Sequence, residues 1–166
     1  MKKYIDFDGV IMDTYLPIFG DYQKQDLNGR YISDKEHVQK KDWNMILSSS
    51  IEINNSLEII RSLRNVAILT RIYSMENEGA AKIKFLRDMG IECEIILAPY
   101  QFKKTEIVPA KGNVLVDDAI FNLDDWNLAG GVPIYFNKDG MDIDGWGVRN
   151  KRYVKTRSLE ILRKFD

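Results

Sequence analysis

Two pairs of aspartates, each closing a short apolar run, have the most to offer chemically: Asp6 and Asp8 in KKYIDFDGV, and Asp117 and Asp118 in GNVLVDD. Carboxylates that meet must share a cation or a proton. Residues two apart in a strand point to the same side, so Asp6 and Asp8 converge if the backbone stays extended, whereas the turn expected at Asp8-Gly9 re-aims the second. Between the pairs lie Thr70 and Arg71, at the end of VAILT, and the adjacent lysines Lys103 and Lys104. Three or four convergent carboxylates suit a hard cation, magnesium above all, which favours oxygen ligands and leaves positions open for water and phosphate. A hydroxyl and an ammonium are redundant in a bare metal site but do hold the oxygens of a phosphoryl group. With such a group in place, Asp6 suits a nucleophile at phosphorus and Asp8 a general acid and base.

These residues need elements to position them. A buried strand is expected over residues 2–10, followed by a short or kinked helix over 10–20 that contains Pro17. Residues 21–50 turn polar, with a turn at Asn28-Gly29 and a helix over 34–47; residues 15–50 are read as a small cap. An amphipathic helix over 51–63 leads to a strand at 66–70, and a helix from Ser74 is stopped by Gly90. Further strands are expected at 91–97, 112–118 and 132–136, with a loop or short helix at 100–107 and a helix at 119–129. A polar loop at 137–147 exposes Trp146, and a short strand near 152–154 and a helix at 158–165 complete the chain. The alternation implies one α/β domain over residues 1–166, a doubly wound, Rossmann-like parallel sheet with helices on both faces and a small helical cap after the first strand. Ligands in such sheets bind beyond the strand carboxyl ends, where Asp6, Asp8, Thr70, Asp117 and Asp118 all fall.

Composition sets bounds. The 166 residues are 45% hydrophobic and 30% charged, and no apolar run is long enough to cross a bilayer, so membrane insertion is excluded. The 24 basic and 25 acidic residues give a formal charge of -1 and no global electrostatic case for nucleic acid. No export signal is visible, and a cytoplasmic location is expected. The single cysteine, Cys93, reads as a small buried thiol in a strand, and the single histidine, His37, argues against a zinc site built from several histidines. Oligomeric state is not readable.

In order along the chain, DFDGV, AILT ending at Thr70, a lysine at Lys103 or Lys104, and LVDD resemble the four motifs of the haloacid dehalogenase-like superfamily of phosphotransferases. The resemblance implies Asp6 as nucleophile, Asp8 as general acid and base, Thr70 and the lysine as phosphoryl binders, and magnesium held by Asp6, Asp117, the carbonyl of Asp8 and, at one remove, Asp118. Gly9 and Arg71 join Thr70 and Lys104 as candidate phosphate-binding residues. Within the superfamily the chain looks most like the 5'(3')-deoxyribonucleotidases, through DFDGV with a short insert, KKTEIV at Lys104, and VDDAIFNLDDW followed by GGVPIYFN. That comparison favours Lys104 over Lys103 and implies a small phosphorylated substrate, a nucleoside monophosphate. A phosphatase of another small metabolite and a non-catalytic phospholigand- or partner-binding protein of the same fold are the alternatives. A phosphorylation-dependent receiver module also gathers aspartates, a threonine and a lysine, but in a different order. Tyr31, Trp43 and Trp146 are candidates to stack on a base or to pack a lid.

Overall fold

The computed structural model describes residues 1–19 and 38–166. The elements, in chain order, are β1 (Lys3–Ile5), β2 (Met12–Asp13), α1 (Tyr15–Phe19), α2 (Trp43–Ser49), β3 (Ile51–Glu52), α3 (Ser56–Ser62), β4 (Val66–Ile72), α4 (Ala80–Asp88), β5 (Glu94–Pro99), α5 (Lys104–Ile107), β6 (Val114–Asp117), α6 (Ile120–Leu128), β7 (Val132–Phe136) and β8 (Val154–Thr156). A π-helical turn, Met75–Gly79, leads into α4, and a 3-10 helix, Leu159–Phe165, ends the chain. Six strands form one sheet in the order β5-β4-β1-β6-β7-β8, every neighbouring pair parallel. The chain builds outward from β1 on one side, then returns to build on the other. β1 therefore flanks the point where strand order reverses, and a crevice opens beyond its carboxyl end.

Alternation along the strands divides the core. Ile5, Val66, Ile68, Val114, Val116, Ile134 and Phe136 pack with Leu57 and Ile60 of α3, Leu86 of α4, and Leu159 and Leu162 of the last helix. Tyr4, Ala67, Leu69, Leu115 and Tyr135 pack on the other face, with Leu123 and Trp126 of α6. Helices thus cover both faces, as expected of a doubly wound sheet. No helix among the described residues is long and apolar enough to cross a membrane.

Several boundaries differ from expectation, each for a local reason. The helix expected over 51–63 is broken: residues 51–52 pair antiparallel with β2 as a small ribbon. Asn54 and Asn55 then adopt positive φ (48° and 58°), which Asn tolerates better than most residues, and α3 starts only at Ser56. The described part of the helix expected over 34–47 ends near Lys40 and restarts at Trp43, where the Asp42 carboxylate accepts from the N–H groups of Asn44 and Met45. The rest of that helix, the Asn28-Gly29 turn, Tyr31 and His37 lie outside the described residues. β4 runs on to Ile72 because Arg71 and Ile72 pair with Ala98 and Pro99. β5 begins only at Glu94, since Ile91 is still engaged in ending α4: its N–H donates to Leu86 O while that of Gly90, at φ 74°, donates to Arg87 O. Cys93 is half-buried ahead of the strand rather than buried within it.

The α6 face hinges on Trp126, which is fully buried, meets Tyr4 edge-on at 5.5 Å and donates its indole N–H to Asn113 O (3.0 Å). Replacing Trp126 with Ala leaves a cavity and removes one of the two hydrogen bonds to Asn113 O, the other coming from the Val132 N–H (2.8 Å), and should lower the unfolding free energy by about 3–5 kcal/mol in a denaturant titration.

Candidate active site

Asp6 follows β1 directly and continues its ladder, its N–H donating to Val116 O (2.9 Å). Its side chain therefore lies on the same side as Tyr4, the α6 side, as does that of Asp117 at the end of β6. Between them stands Lys104, the first residue of α5, almost wholly enclosed, with Nζ 2.8 Å from Asp6 Oδ1 and 2.6 Å from Asp117 Oδ2. Asp117 is further fixed by the N–H of Ala119 (2.9 Å) and the amide of Asn122 (3.0 and 3.2 Å). Asp118 accepts from the Tyr15 hydroxyl (2.9 Å). Carboxylate oxygens of Asp6, Asp117 and Asp118 all lie within 4.8 Å of one another. Three convergent hard oxygen donors fit a divalent cation of the magnesium type.

Gly9 makes this convergence possible. It sits at φ 74°, and a Cβ there would run into Asp118 Oδ2 and lie 2.7 Å from the Tyr15 ring. Its N–H donates to Met12 O (2.8 Å), closing the turn that leads to the β2–β3 ribbon. That turn also swings Asp8 away from Asp6. The Asp8 carboxylate takes Thr14 Oγ1 on one oxygen (2.7 Å), and Lys82 Nζ (2.6 Å) and Thr70 Oγ1 (3.5 Å) on the other. Lys82 Nζ also meets Thr70 Oγ1 (3.1 Å) and Glu78 Oε1 (2.7 Å), so Thr70 is built into the Asp8 cluster.

A cavity of about 190 Å³ opens above these groups. Asp6, Asp8, Lys104 and Asp118 reach it from below, and Tyr15, Tyr73, Tyr100, Phe121 and Trp146 form much of its wall. Tyr73 and Tyr100 stack at 5.2 Å, and Phe121 meets Trp146 edge-on at 6.2 Å. Trp146 is placed by Asp144, whose carboxylate accepts the N–H groups of Trp146 and Val148 on one oxygen and that of Ile120, at the start of α6, on the other. Arg71 enters from β4, its guanidinium donating to Tyr100 O and lying 6.0 Å from the Phe121 ring centre, while its buried Nε has no hydrogen-bond partner among the described residues. Trp43 also lines the cavity, with its indole N–H on Val38 O (3.2 Å).

Lys103 points elsewhere, forming an exposed ion pair with Asp125 (2.7 Å); the site lysine is its neighbour. Sequence reasoning missed Thr14, Tyr15, Glu78, Lys82, Asn122 and Asp144. Glu78 and Lys82, four apart, spell an ordinary surface pair, and only the depth of α4 against β4 reveals otherwise.

Electrostatics follow from enclosure. Burial pushes the Asp6 carboxyl from 3.8 up to about 7, with Lys104 opposing and Asp117 and Asp8 adding to the rise. Burial, then Asp117 and Asp6, raise Asp118 as well. For Lys104, burial acts to lower the pKa, but Asp117 and Asp6 outweigh it and the net shift is upward; Lys82 behaves in the same way between Asp8 and Glu78.

No family model matches the chain, and no curated protein matches it in sequence. Solved structures do. A hydrolase from Pseudomonas syringae superposes with a TM-score of 0.59 at 12% identity, covering 99% of this chain and 96% of that one. A haloacid dehalogenase-like family hydrolase from Streptococcus pneumoniae gives 0.55 at 13%, covering 99% and 98%. A HAD-family hydrolase from Deinococcus radiodurans, solved with bound phosphate and sodium, gives 0.54 at 11%, covering 99% and 94%.

A raised folded-state pKa means that folded Asp6 keeps, between about pH 4 and about pH 7, a proton that the unfolded chain has released. Its stabilisation is complete below that window and lost as the pH rises through about 7. Metal-free protein should melt at a lower temperature at pH 8 than at pH 6 in scanning calorimetry, and Asp6→Asn should narrow that gap. Parallel strand order, helices on both faces and these superpositions together give the chain the fold of the HAD-superfamily hydrolases.

Proposed function

We propose that the protein is a magnesium-dependent phosphomonoesterase that works through an aspartyl-phosphate on Asp6 and acts on nucleoside monophosphates, deoxyribonucleotides among them. The observation that carries this reading is the meeting of Asp6, Asp117 and Asp118 with Lys104 beneath a cavity that also presents Arg71. Asp6, Asp117, Asp118 and the carbonyl of Asp8 would hold the cation, which when bound neutralises phosphate oxygens and favours the ionised form of Asp6. Lys104 steadies Asp6 and offers positive charge to the phosphoryl oxygens. Arg71, which lines the cavity, adds a guanidinium, and phosphate, the anion bound in the Deinococcus radiodurans hydrolase, is a group such donors suit. Gly9 keeps the turn open and Thr70 braces Asp8, so both serve phosphate binding through the shape of the pocket.

In the first step an Asp6 oxygen bonds to phosphorus, the bond to the ester oxygen breaks, and Asp8 gives that oxygen its proton. In the second, Asp8 takes a proton from water as it attacks phosphorus, releasing phosphate and restoring Asp6. The aromatic wall supports a nucleotide: Tyr73 and Tyr100 already stack, and Phe121 with Trp146 offers a further apolar surface to a flat base.

Asp6→Asn should abolish turnover while leaving the circular dichroism spectrum unchanged; full activity in that variant removes Asp6 as nucleophile. Lys104→Ala should lose at least about 100-fold in kcat/KM and Lys103→Ala less than about threefold. Across nucleoside monophosphates, sugar phosphates and phosphorylated small acids assayed with magnesium, nucleotides should give the highest kcat/KM. A flat profile removes the nucleotide assignment and keeps the phosphatase. Phosphate release from no ester at all leaves a phospholigand-binding protein.

A further inference from the structure

Lys82 is not needed by the chemistry just described, yet it is one of the most enclosed residues of the chain. It projects from α4, does not line the cavity, and has its ammonium 5.2 Å from the Phe7 ring centre and 4.8 Å from that of Trp43. Its acceptors are Asp8 Oδ2 (2.6 Å), Glu78 Oε1 (2.7 Å), Thr70 Oγ1 (3.1 Å) and Arg71 O (3.4 Å). Glu78 is held in turn, its other carboxylate oxygen accepting the N–H of Tyr73 (2.8 Å). It belongs to the π-helical turn before α4, a widened turn of a kind that recurs at functional sites. A buried lysine–glutamate pair is poor value for stability, since well-packed apolar side chains of the same volume do as well or better. Its geometry explains it better. Asp8 is gripped at both oxygens, by Thr14 on one and Lys82 on the other, so its carboxyl plane cannot turn without losing a bond. Glu78 offsets the charge of Lys82, giving Asp8 a hydrogen-bond donor with little net positive field.

We propose that Lys82, with Glu78 as its counter-charge, is a positioning residue that holds the carboxyl group of Asp8 in the orientation from which it gives a proton to the leaving oxygen. The inference rests on the phosphatase reading. A misaligned proton donor slows expulsion of a poor leaving group and matters little for a good one. The test compares kcat/KM of the full chain, with magnesium, on ethyl phosphate and on p-nitrophenyl phosphate.

Lys82→Met should lose about 100-fold on ethyl phosphate and less than about fivefold on p-nitrophenyl phosphate. Binding of inorganic phosphate, measured by calorimetry, should change less than about twofold. Glu78→Gln should show the same asymmetry, about tenfold on the alkyl ester. Should Lys82→Met fail to fold, Lys82→Arg and Glu78→Gln carry the test. Equal losses on the two esters, or no loss on either, overturn the proposal and leave the phosphatase reading intact. Unaltered protein that turns over neither ester overturns both.

Discussion

Two enclosed lysine ammonium groups stand on opposite sides of the strand rim, and each is held between two carboxylates: Lys104 between Asp6 and Asp117, Lys82 between Asp8 and Glu78. Removing such charges from water is costly, and either set left unpaired would destabilise the fold. Each is satisfied only because elements far apart in sequence deliver their side chains to one place. β1, β6 and α5 assemble the first set, and the turn after β1, β4 and the start of α4 assemble the second. The parallel sheet is the frame that lets five acidic groups and two bases share a small volume.

Strand parity explains why the two sets stay apart. Asp6 keeps the register of β1 and faces α6, as Asp117 does from β6. Asp8 is released from that register by the turn at Gly9 and crosses to the α4 side, where Thr70 already points. One turn residue thus sends two carboxylates, two positions apart in sequence, to opposite sides of the strand rim. The same glycine leaves room for Asp118, so placing Asp8 and packing the acidic cluster depend on a single missing side chain.

Much of this was legible in the sequence because it rests on local signals. Apolar runs closed by acidic residues marked β1 and β6, and Gly90 and Gly130 marked helix ends that the structure confirms with positive φ. What escaped notice depended on depth rather than pattern. Lys82 stands beside Ala81 and Ile83 like any helix-surface lysine, and nothing in its spacing says that α4 presses it between Phe7 and Trp43. The split of residues 51–63 into a ribbon strand and a helix turned on an Asn-Asn pair whose side chains allow a left-handed backbone, a signal that helical periodicity overrode. Asn122 was hidden for a third reason: its partner Asp117 lies in the preceding strand, so the bond exists only once α6 folds back along β6.

The β2–β3 ribbon also bears on how such a protein changes over time. Met12 pairs with Glu52 and Asp13 with Ile51, so the intervening chain departs and returns at neighbouring points, one strand spacing apart. A segment tethered at both ends in this way can lengthen or shorten at little entropic cost to the sheet beneath it. Insertions and deletions can then accumulate there while the residues gathered at the carboxyl ends of β1 and β6 are left undisturbed.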